Sequence, residues 1–467
     1  MVSMPRTKII VTYGPSIADD RKLREILKQV DIIRLNFSHG ALEEKLAAIR
    51  KIRKLSREIG REVAILADLP GPKIRVSRLE REIPIRKGQR VVLCYSKKAR
   101  GSEVPTDFDM YKGMRKESEI SIGDGEPKLL VTELSKGRII CKAMQDGAIG
   151  SRKGINVKGS SINAEPPTGE DMKFAKFAME NDLDFIALSF VKSAKDIARI
   201  RKVVDGMGVI SKIERQEAID GIEGIAEASD GIMIARGDMA LNIDYSKVPL
   251  MQDRIIRVCR SAKKPVIVAT QMLESMLNNR TPTRAEMTDV ANAVKSGVDC
   301  VMLSGETAIG NHPVEAVTAL SNILSYTEQE MPSNFTPQKS ASSGHEGIAA
   351  AAAGISHTCD MDIIFVPTHS GTTVRMLSGM RPDSTVVALS SSDKVRRSLG
   401  LYYGVVGVRV GKHDGSGESV DSEAKIYARR MNAKNYMLIY GHQANGSTSD
   451  SIKCFWGKSH RKRLRFF

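Results

Sequence analysis

The stretches VISKIE at residues 209–214 and GIMIARGD at residues 231–238 decide the predicted fold. Each carries an apolar run, typical of a buried strand, into polar residues. Because side chains alternate along a strand, Lys212 and Glu214 are expected on the same face. If the two strands are neighbours, Glu214 and Asp238 can share one Mg²⁺ ion, with the Lys212 ammonium beside it. This combination indicates chemistry on a phosphate or carboxylate group.

Six further apolar runs resemble these two, so that eight short β-like segments lie between residues 7 and 305. Most are followed by a helical stretch, and their Val- and Ile-rich cores are typical of strands buried on both faces. Eight such units predict a (β/α)8 barrel, or TIM barrel, whose active site lies at the carboxyl ends of its strands. The polar residues at those ends are Arg34, Asn36, Ser38, Asp68, Lys212, Glu214, Asp238, Thr270 and Ser304.

The chain has 467 residues, more than the roughly 250 of a single barrel. Residues 71–157 contain short β-like runs punctuated by Gly and Pro, which predict a small inserted β domain. The polar stretch 332–345 has the composition of a linker. Beyond it, residues 346–467 alternate strand and helix patterns and predict a separate α/β domain. The barrel is therefore expected in two parts, residues 1–70 and 158–331.

The composition is that of a globular protein, with 27% charged residues and no apolar run long enough to cross a bilayer. The six scattered cysteines predict neither a zinc site nor a disulfide framework, and with no signal peptide a cytoplasmic location is expected. The formal net charge of +16 raises the alternative of nucleic-acid binding, above all at the tail KSHRKRLRFF, residues 458–467. A solvated or subunit-docked tail is the simpler reading, because no nucleic-acid motif is present.

Seven phrases, in order along the chain, resemble the pyruvate kinase family. They are TKIIVTYGPS, IIRLNFSHG, DLPGPKIR, SKIERQEAI, DGIMIARGD, PVIVATQMLESM and MLSGETAIGNHP. The resemblance implies a TIM barrel with a small β-barrel lid domain inserted after the third strand and a C-terminal α/β regulatory domain. It also implies Mg²⁺-dependent phosphoryl transfer from phosphoenolpyruvate to ADP, which gives pyruvate and ATP in the last step of glycolysis.

The resemblance implies that Lys212, Thr270 and Arg34 are catalytic and that Glu214 and Asp238 bind the metal ion. Glu214 and Asp238 match the ligands of Mg²⁺, for which Mn²⁺ can substitute. Lys212 matches a lysine beside the transferring phosphoryl group, where its charge offsets the negative charge on the oxygens. Arg34 matches the arginine that grips the substrate phosphate. Without the ordered motifs, a strand-end lysine such as Lys212 would more often form an ordinary ion pair.

Further residues match the substrate and nucleotide contacts of the family. Gly237 and Asp238 can offer backbone N–H groups to the substrate carboxylate. Thr270 matches a threonine that helps relay the proton converting enolpyruvate into pyruvate. The implied nucleotide contacts are Asn36, His39, Arg75 and Lys153. For His39 a hydrogen bond that fixes the turn is an equal alternative, and for Lys153 the alternative is a solvated side chain.

One departure from the family pattern concerns a monovalent cation. Many members hold K⁺ with the counterparts of Asn36, Ser38, Asp68 and the carbonyl of Leu69. An acidic residue lies nearby in those members, whereas here the corresponding position is Lys73. We therefore hypothesise that the Lys73 ammonium supplies the missing positive charge, so that K⁺ is not required.

The phrase PTHSGTTVRML in the C-terminal domain places hydroxyl side chains between a strand and a helix. The candidate effector loop consists of Thr368, Ser370, Gly371, Thr372 and Thr373. Such a helix start can bind phosphate, and the matching loop of relatives binds a phosphorylated allosteric effector. His369 stands where some sugar-bisphosphate-activated members carry Lys, so the effector is not identified. Simple helix capping is an equal alternative.

Two other functions remain open at the level of sequence. Another Mg²⁺-dependent barrel enzyme of phosphoenolpyruvate or oxoacid chemistry, such as a lyase or aldolase, could also pair Glu and Asp on adjacent strands. It would not need the lid, Arg34 and Lys212 together. A non-catalytic binding homologue is supported only by the basic tail. The resemblance itself implies a homotetramer with phosphoenolpyruvate, ADP, ATP and pyruvate as partners, and no nucleic-acid or membrane partner is expected.

Overall fold

The computed structural model of the protein describes most of the chain. The described residues are 4–96, 103–123, 125–158, 165–331, 343–411, 417–440 and 451–457, with the single positions 333, 335, 337 and 341. The basic tail at 458–467 and much of the predicted linker at 332–345 lie outside them. None of the helices among these residues has the length and apolar character needed to span a bilayer.

The chain begins with the first part of a barrel. Its elements are β1 (Lys8–Thr12), α1 (Asp20–Leu27), β2 (Ile32–Asn36), α2 (Leu42–Glu58) and β3 (Ala64–Asp68). Every residue of β1 and β3 is buried, as their continuous apolar sequences predict. The Asp19 carboxylate accepts hydrogen bonds from the backbone N–H groups of Arg21 and Lys22, which fixes the start of α1.

The inserted domain follows β3, and its described residues contain eight short strands. They are β4 (Ile83–Ile85), β5 (Arg90–Tyr95), β6 (Glu103–Thr106), β7 (Glu119–Ile122), β8 (Lys128–Ser135), β9 (Arg138–Ala143), β10 (Gly147–Ile149) and β11 (Ile155–Lys158). One sheet has the order β11-β7-β8-β9-β5-β6, and β10 pairs with β4. Arg75 bridges to Gly154 beside β11 and Val76 bridges to Thr106 in β6, so the two sheet edges are joined, as expected for a small β-barrel.

The second part of the barrel contains the remaining five strands. Its elements are α3 (Gly169–Glu180), β12 (Phe185–Leu188), α4 (Ala194–Arg201), β13 (Gly208–Ile213), α5 (Gln216–Asp220), α6 (Ile222–Ala228), β14 (Gly231–Ala235), α7 (Arg236–Asn242), α8 (Val248–Ser261), β15 (Val266–Ala269), α9 (Arg284–Ser296), β16 (Cys300–Leu303), α10 (Gly305–Ala308) and α11 (Pro313–Glu330).

The eight strands form a closed barrel in the order β1-β16-β15-β14-β13-β12-β3-β2. Its pairings are parallel, so all strand ends that carry polar residues lie at one rim. Alternate side chains such as Ile32, Leu66, Phe185 and Met233 fill the interior, while the others pack against the surrounding helices. The predicted TIM barrel is confirmed, and β13 and β14 are neighbours, as the shared-metal argument required.

The C-terminal domain is an α/β sandwich of helices and one sheet. Its elements are α12 (Gly344–Thr358), β17 (Ile363–Pro367), α13 (Thr372–Gly379), β18 (Thr385–Ser390), α14 (Asp393–Ser398), β19 (Val405–Arg409), α15 (Gly417–Arg430), β20 (Tyr436–Tyr440) and β21 (Ser451–Phe455). The sheet order is β19-β18-β17-β20-β21, and only β21 pairs antiparallel. The predicted α/β class is confirmed, whereas β21 was not expected.

Candidate active site

A buried lysine lies at the centre of the barrel's carboxyl rim. Lys212, near the end of β13, donates a hydrogen bond to the hydroxyl of Ser189, with 2.8 Å between Nζ and Oγ. Its Nζ also lies 3.0 Å from Oε1 of Glu214 and 3.2 Å from Oδ1 of Asp68. Lys212 and Glu214 therefore meet on one face, as the strand periodicity predicted. The backbone N–H of Phe190 fixes the second Glu214 oxygen at 2.7 Å.

Opposite charges stabilise the ionised state of this lysine. Burial by itself lowers the pKa of Lys212, but the neighbouring carboxylates, those of Asp68 and Glu214 above all, hold it above its ordinary value. Burial would raise the pKa of Asp68, yet the charges of Lys212 and Arg34 hold it below its ordinary range. The site thus contains a fixed ammonium and a fixed carboxylate at neutral pH.

Glu214 and Asp238 have the properties expected of a divalent metal site. Glu214 is fully buried, and within the described residues its Oε1 contacts only the Lys212 ammonium, 3.0 Å away. Burial raises the pKa of Glu214, and the negative charge of Asp238 raises it further, whereas the Lys212 ammonium lowers it. Because a carboxylate oxygen can accept more than one partner, a bound divalent cation could share this oxygen with Lys212. No cluster of three or more His, Cys, Asp or Glu side chains suited to a metal occurs in the described residues, and two carboxylates fit Mg²⁺, which keeps water and substrate oxygens as ligands.

Lys73 lies beside this site. Its Nζ donates to Oδ1 of Asp238 at 2.8 Å, and both side chains remain about one quarter exposed. Burial alone would raise the pKa of Asp238, but Lys73 and Lys212 hold it below its ordinary range. The predicted substitute for K⁺ therefore contacts a candidate Mg²⁺ ligand.

The predicted K⁺ ligands are largely bonded to other groups of the chain. The side-chain oxygen of Asn36 accepts the backbone N–H of Ser38 at 3.0 Å. The carbonyl of Leu69 accepts the Ser189 hydroxyl at 2.6 Å. Oδ2 of Asp68 accepts the guanidinium of Arg34 at 2.6 Å.

Arg34 projects from β2 into the same rim. Its Nη1 donates to the hydroxyl of Thr12 at 2.9 Å, while its Nε holds Asp68. The side chain is 13% exposed, so its orientation is fixed while one edge stays accessible. A guanidinium placed in this way can bind the oxygens of a phosphate group.

Thr270 follows β15 in a strained turn that Arg236 holds. Thr270 has φ +68° and Gln271 has φ +55°, which is unusual for residues other than glycine. Nη2 of Arg236 donates to both of their carbonyl oxygens at 2.8 Å. The Thr270 hydroxyl accepts the backbone N–H of Gly237 at 2.9 Å. That N–H group is therefore already paired, and binding a substrate carboxylate there requires the Thr270 hydroxyl to move.

Two of the four predicted nucleotide contacts, Arg75 and Lys153, lie together where the inserted domain rejoins the barrel, and His39 lies near Arg75. Nη1 of Arg75 donates to the carbonyl of Arg152 at 3.2 Å, next to Lys153. The backbone N–H of Val76 donates to the carbonyl of Lys153 at 2.9 Å. Burial lowers the pKa of His39, and the positive charge of Arg75 lowers it further. His39 is therefore neutral at physiological pH within a positively charged region that suits a polyphosphate.

The candidate effector loop lies between β17 and α13. The hydroxyl of Thr368 accepts the backbone N–H of Gly371 at 2.8 Å, and Gly371 has φ +81°. The hydroxyls of Ser370 and Thr372 lie 2.9 Å apart and share one hydrogen bond. Thr373 is buried at the start of the helix. In the structure, the polar groups of the loop thus bond mainly to one another.

Comparison with known proteins identifies the family. The family model described as pyruvate kinase, barrel domain, matches residues 4–317. A second model, pyruvate kinase, alpha/beta domain, matches residues 346–445. The chain belongs to the pyruvate kinase family. It is 39% identical over 416 residues to a pyruvate kinase of Agrobacterium vitis, with 86% of each chain covered. It is 38% identical to one of Bacillus licheniformis, with 90% of this chain and 74% of the relative covered.

A solved structure supports the same assignment. The crystal structure of a pyruvate kinase from Cryptosporidium parvum superimposes with a TM-score of 0.89 at 32% sequence identity, covering 97% of this chain and 96% of the other. The chain is thus a phosphotransferase of the pyruvate kinase family, which transfers a phosphoryl group from phosphoenolpyruvate to ADP and depends on a divalent metal ion. The predicted family, fold class and function are confirmed, and the lyase, aldolase and non-catalytic alternatives fall away.

Two residues of this site had no predicted role. Ser189 follows β12 directly and links Lys212 to the carbonyl of Leu69. Its position after a buried strand was the signal that could have identified it. Arg236 stands next to Gly237 in the sequence, but its contacts with the turn after β15 depend on the fold.

Proposed function

We propose that Lys212 is the cation beside the phosphoryl group in transfer from phosphoenolpyruvate to ADP. The supporting observation is its position, buried at the barrel rim against Asp68 and Glu214 with its charge fixed by both. In the transition state, negative charge builds up on the phosphoryl and leaving oxygens, and a preorganised ammonium stabilises it without reorganisation. Arg34, held by Asp68 and Thr12, orients the substrate phosphate.

Glu214 and Asp238 would hold Mg²⁺ as the metal ion, with Mn²⁺ as a substitute. When bound, this ion supplies Lewis-acid charge stabilisation to the substrate oxygens. The chain's own contribution is to keep Glu214 ionised and oriented through Lys212 and the Phe190 N–H. Asp238 would contribute a carboxylate whose Oδ1 also accepts the Lys73 ammonium.

The second step delivers a proton to enolpyruvate. Thr270 is the candidate relay, because its hydroxyl lies at the rim and bonds only the N–H of Gly237 in the described structure. A hydroxyl can pass a proton from one neighbour to the next without holding a charge itself. ADP would bind on the side of the inserted domain, through Asn36, His39, Arg75 and Lys153, and closure of that domain would exclude water.

The defining test is the dependence of phosphoenolpyruvate consumption on ADP. ³¹P NMR of the purified protein with phosphoenolpyruvate and Mg²⁺ should show no turnover until ADP is added. Thereafter ATP and pyruvate should form in equal amounts. Consumption of phosphoenolpyruvate at the same rate without ADP would reject phosphoryl transfer in favour of hydrolysis or a lyase reaction.

We also propose that this chain does not require K⁺. Asp68, a predicted K⁺ ligand, already pairs with Arg34 and Lys212, and Lys73 adds a further ammonium beside Asp238. A K⁺ ion would therefore add little to the positive charge that already surrounds Asp68 and Asp238.

The test compares pyruvate formation with and without K⁺, at constant ionic strength set by a tetramethylammonium salt. The wild-type rates should agree within about twofold, whereas Lys73→Glu should need K⁺ because it replaces an ammonium by a carboxylate. Lys195→Glu, an exposed change on α4, is the control for charge alone. Negligible wild-type activity without K⁺ would reject this proposal and leave phosphoryl transfer untouched.

The remaining proposals concern regulation, assembly and location. A phosphorylated effector would bind the loop formed by Thr368 and residues 370–373, and the chain would assemble as a homotetramer, as the family resemblance implies. The location would be cytoplasmic, in keeping with six cysteines that are all unpaired. Pyruvate, ATP and ADP would be its small-molecule partners, without nucleic acid or membrane.

A further inference from the structure

A cavity of about 330 Å³ lies between the barrel and the C-terminal domain, at the opposite end of the barrel from Lys212. On the barrel side it is lined by Arg201 at the end of α4 and by Asp230, just before β14. On the other side it is lined by Arg375 of α13, Lys394 of α14 and Tyr402. Both domains are needed to form it, so a ligand there would contact both.

The carboxylates of the cavity already have partners. Asp230 pairs with Arg201 at 2.8 Å. Asp184, also in the lining, accepts the guanidinium groups of Arg53 and Arg397 at 2.7 Å each. The negative charge on the cavity wall is therefore neutralised.

Two cations of the cavity remain without a carboxylate. Within the described residues, neither Arg375 nor Lys394 forms an ion pair. Nε of Arg375 is buried and has no hydrogen-bond acceptor, although the guanidinium lies 5.7 Å from the centre of the Tyr402 ring. A buried donor without an acceptor costs stability unless another molecule supplies one. Lys394 extends towards the barrel. Its Nζ lies 3.3 Å from the position that a Cβ atom would occupy at Gly206.

We propose that this cavity binds a phosphate monoester of a small metabolite. The guanidinium of Arg375 and the ammonium of Lys394, both on the C-terminal-domain side of the cavity, match the charge of a phosphate group, and the Arg375 fork can bind two of its oxygens. The volume is at the lower end of the range for small-molecule sites and accommodates a sugar phosphate. Only Ser370 is shared with the candidate effector loop, so the two sites are distinguishable by mutation.

Binding should fix the two domains relative to each other. Lys394 lies on α14, two and three residues before Arg396 and Arg397, which already bond the barrel through Glu62 and Asp184. A ligand held by Lys394 and by the barrel wall would add a further connection at the same helix. It should therefore raise the melting temperature of the protein, by an amount that grows with the logarithm of the ratio of ligand concentration to dissociation constant.

The test is calorimetric titration of the full chain with glucose 6-phosphate, with glucose and inorganic phosphate as separate probes. Lys212→Ala should be the background for all titrations, because it weakens phosphate binding at the active site. We expect saturable binding of glucose 6-phosphate and none of glucose. Lys394→Gln should weaken binding about tenfold. Lys202→Gln, the same charge change on an exposed residue outside the cavity, should leave it unchanged.

Three outcomes would overturn the proposal: no binding of glucose 6-phosphate or inorganic phosphate, equal affinity in Lys394→Gln and the background protein, or binding that is lost in Thr372→Val but retained in Lys394→Gln. The last result would place the ligand in the loop before α13. Since binding is measured directly and without turnover, none of these outcomes bears on the proposed reaction.

Discussion

At the scale of single residues, the chemistry depends on a few charged groups whose partners are distant in sequence. Lys212, Glu214 and Asp68 were found from their positions at the ends of buried strands, because polar residues there emerge at the carboxyl rim of the barrel. The sequence pattern could not show that Lys73 bonds Asp238, since these residues are 165 positions apart and meet only through the fold of the inserted domain. The same limit hid the contact between Lys212 and Ser189.

Arg236 provides a test at this scale. It holds two consecutive left-handed residues, Thr270 and Gln271, through their carbonyl oxygens, and it is itself held by Asp289 at 2.7 Å. Arg236→Lys keeps the charge but loses the planar fork, so Thr270 should relax from its strained position. We expect kcat to fall about ten- to a hundredfold.

Arg236 is a positioning residue, so its effect should appear as a change in proton transfer. Exchange of the pyruvate methyl protons with deuterated solvent should slow along with kcat, while KM for ADP stays the same. Asp289→Asn, which loosens the support of Arg236 without removing it, should show a smaller effect. If Arg236→Lys exchanged the methyl protons and formed pyruvate at the rates of the wild type, the assigned role would be contradicted.

At the scale of elements, continuous apolar runs made the eight barrel strands predictable. Strands buried on both faces need no alternation and contain Val and Ile throughout, as β13 and β14 do. The short strand β6 was missed because four residues that include Pro105 give little pattern. β21 was missed because its five residues, SIKCF, lie at the edge of the sheet and do not form the continuous Val- and Ile-rich run that marks the other strands.

Glu286 offers a pH-dependent test of one element. At the start of α9 it accepts hydrogen bonds from the backbone N–H groups of Ser275, at 2.7 Å, and Thr283, at 2.8 Å. Burial would raise its pKa, but the bonds from Ser275 and Thr283 hold the pKa below its ordinary range. Its contribution to stability is therefore present above the pKa of the unfolded chain and is lost as pH falls through the folded value.

Glu286→Gln should accordingly lower the melting temperature at pH 7 by an amount equivalent to about 1 kcal/mol, the usual value of a helix cap. Below the ordinary pKa of a glutamate the difference between the two proteins should shrink. Scanning calorimetry of both proteins at pH 7 and at pH 4 measures this. An equal difference at both pH values would show that the carboxylate charge is not what holds the helix start.

At the scale of the whole molecule, buried ion pairs attach the C-terminal domain to the amino end of the barrel. Nη2 of Arg381 lies 3.0 Å from Oδ1 of Asp299 and 2.7 Å from the carbonyl of Gly297. Its guanidinium lies 4.0 Å above the ring centre of Tyr403. Composition and periodicity predicted that the C-terminal domain is separate from the barrel, but they contain no information about which charges meet across that boundary.

Arg381→Met should destabilise the protein by about 3–5 kcal/mol, because it leaves the buried Asp299 carboxylate without its partner. Burial already raises the pKa of Asp299, and Arg381 opposes that rise. Adding Asp299→Asn should recover part of the loss. Urea-induced unfolding followed by fluorescence and circular dichroism compares the single and double variants. Strictly additive losses would mean that the two side chains are not coupled.

The central claim is that Lys212 carries out phosphoryl transfer as the cation at the barrel rim. The most direct measurement is kcat for pyruvate formation from phosphoenolpyruvate and ADP with Mg²⁺, in the wild type, in Lys212→Ala and in Lys195→Ala as the matched exposed control. The account predicts a fall of at least about a thousandfold in Lys212→Ala, in folded protein, and no change in Lys195→Ala. A kcat within about tenfold of the wild type in Lys212→Ala would contradict it.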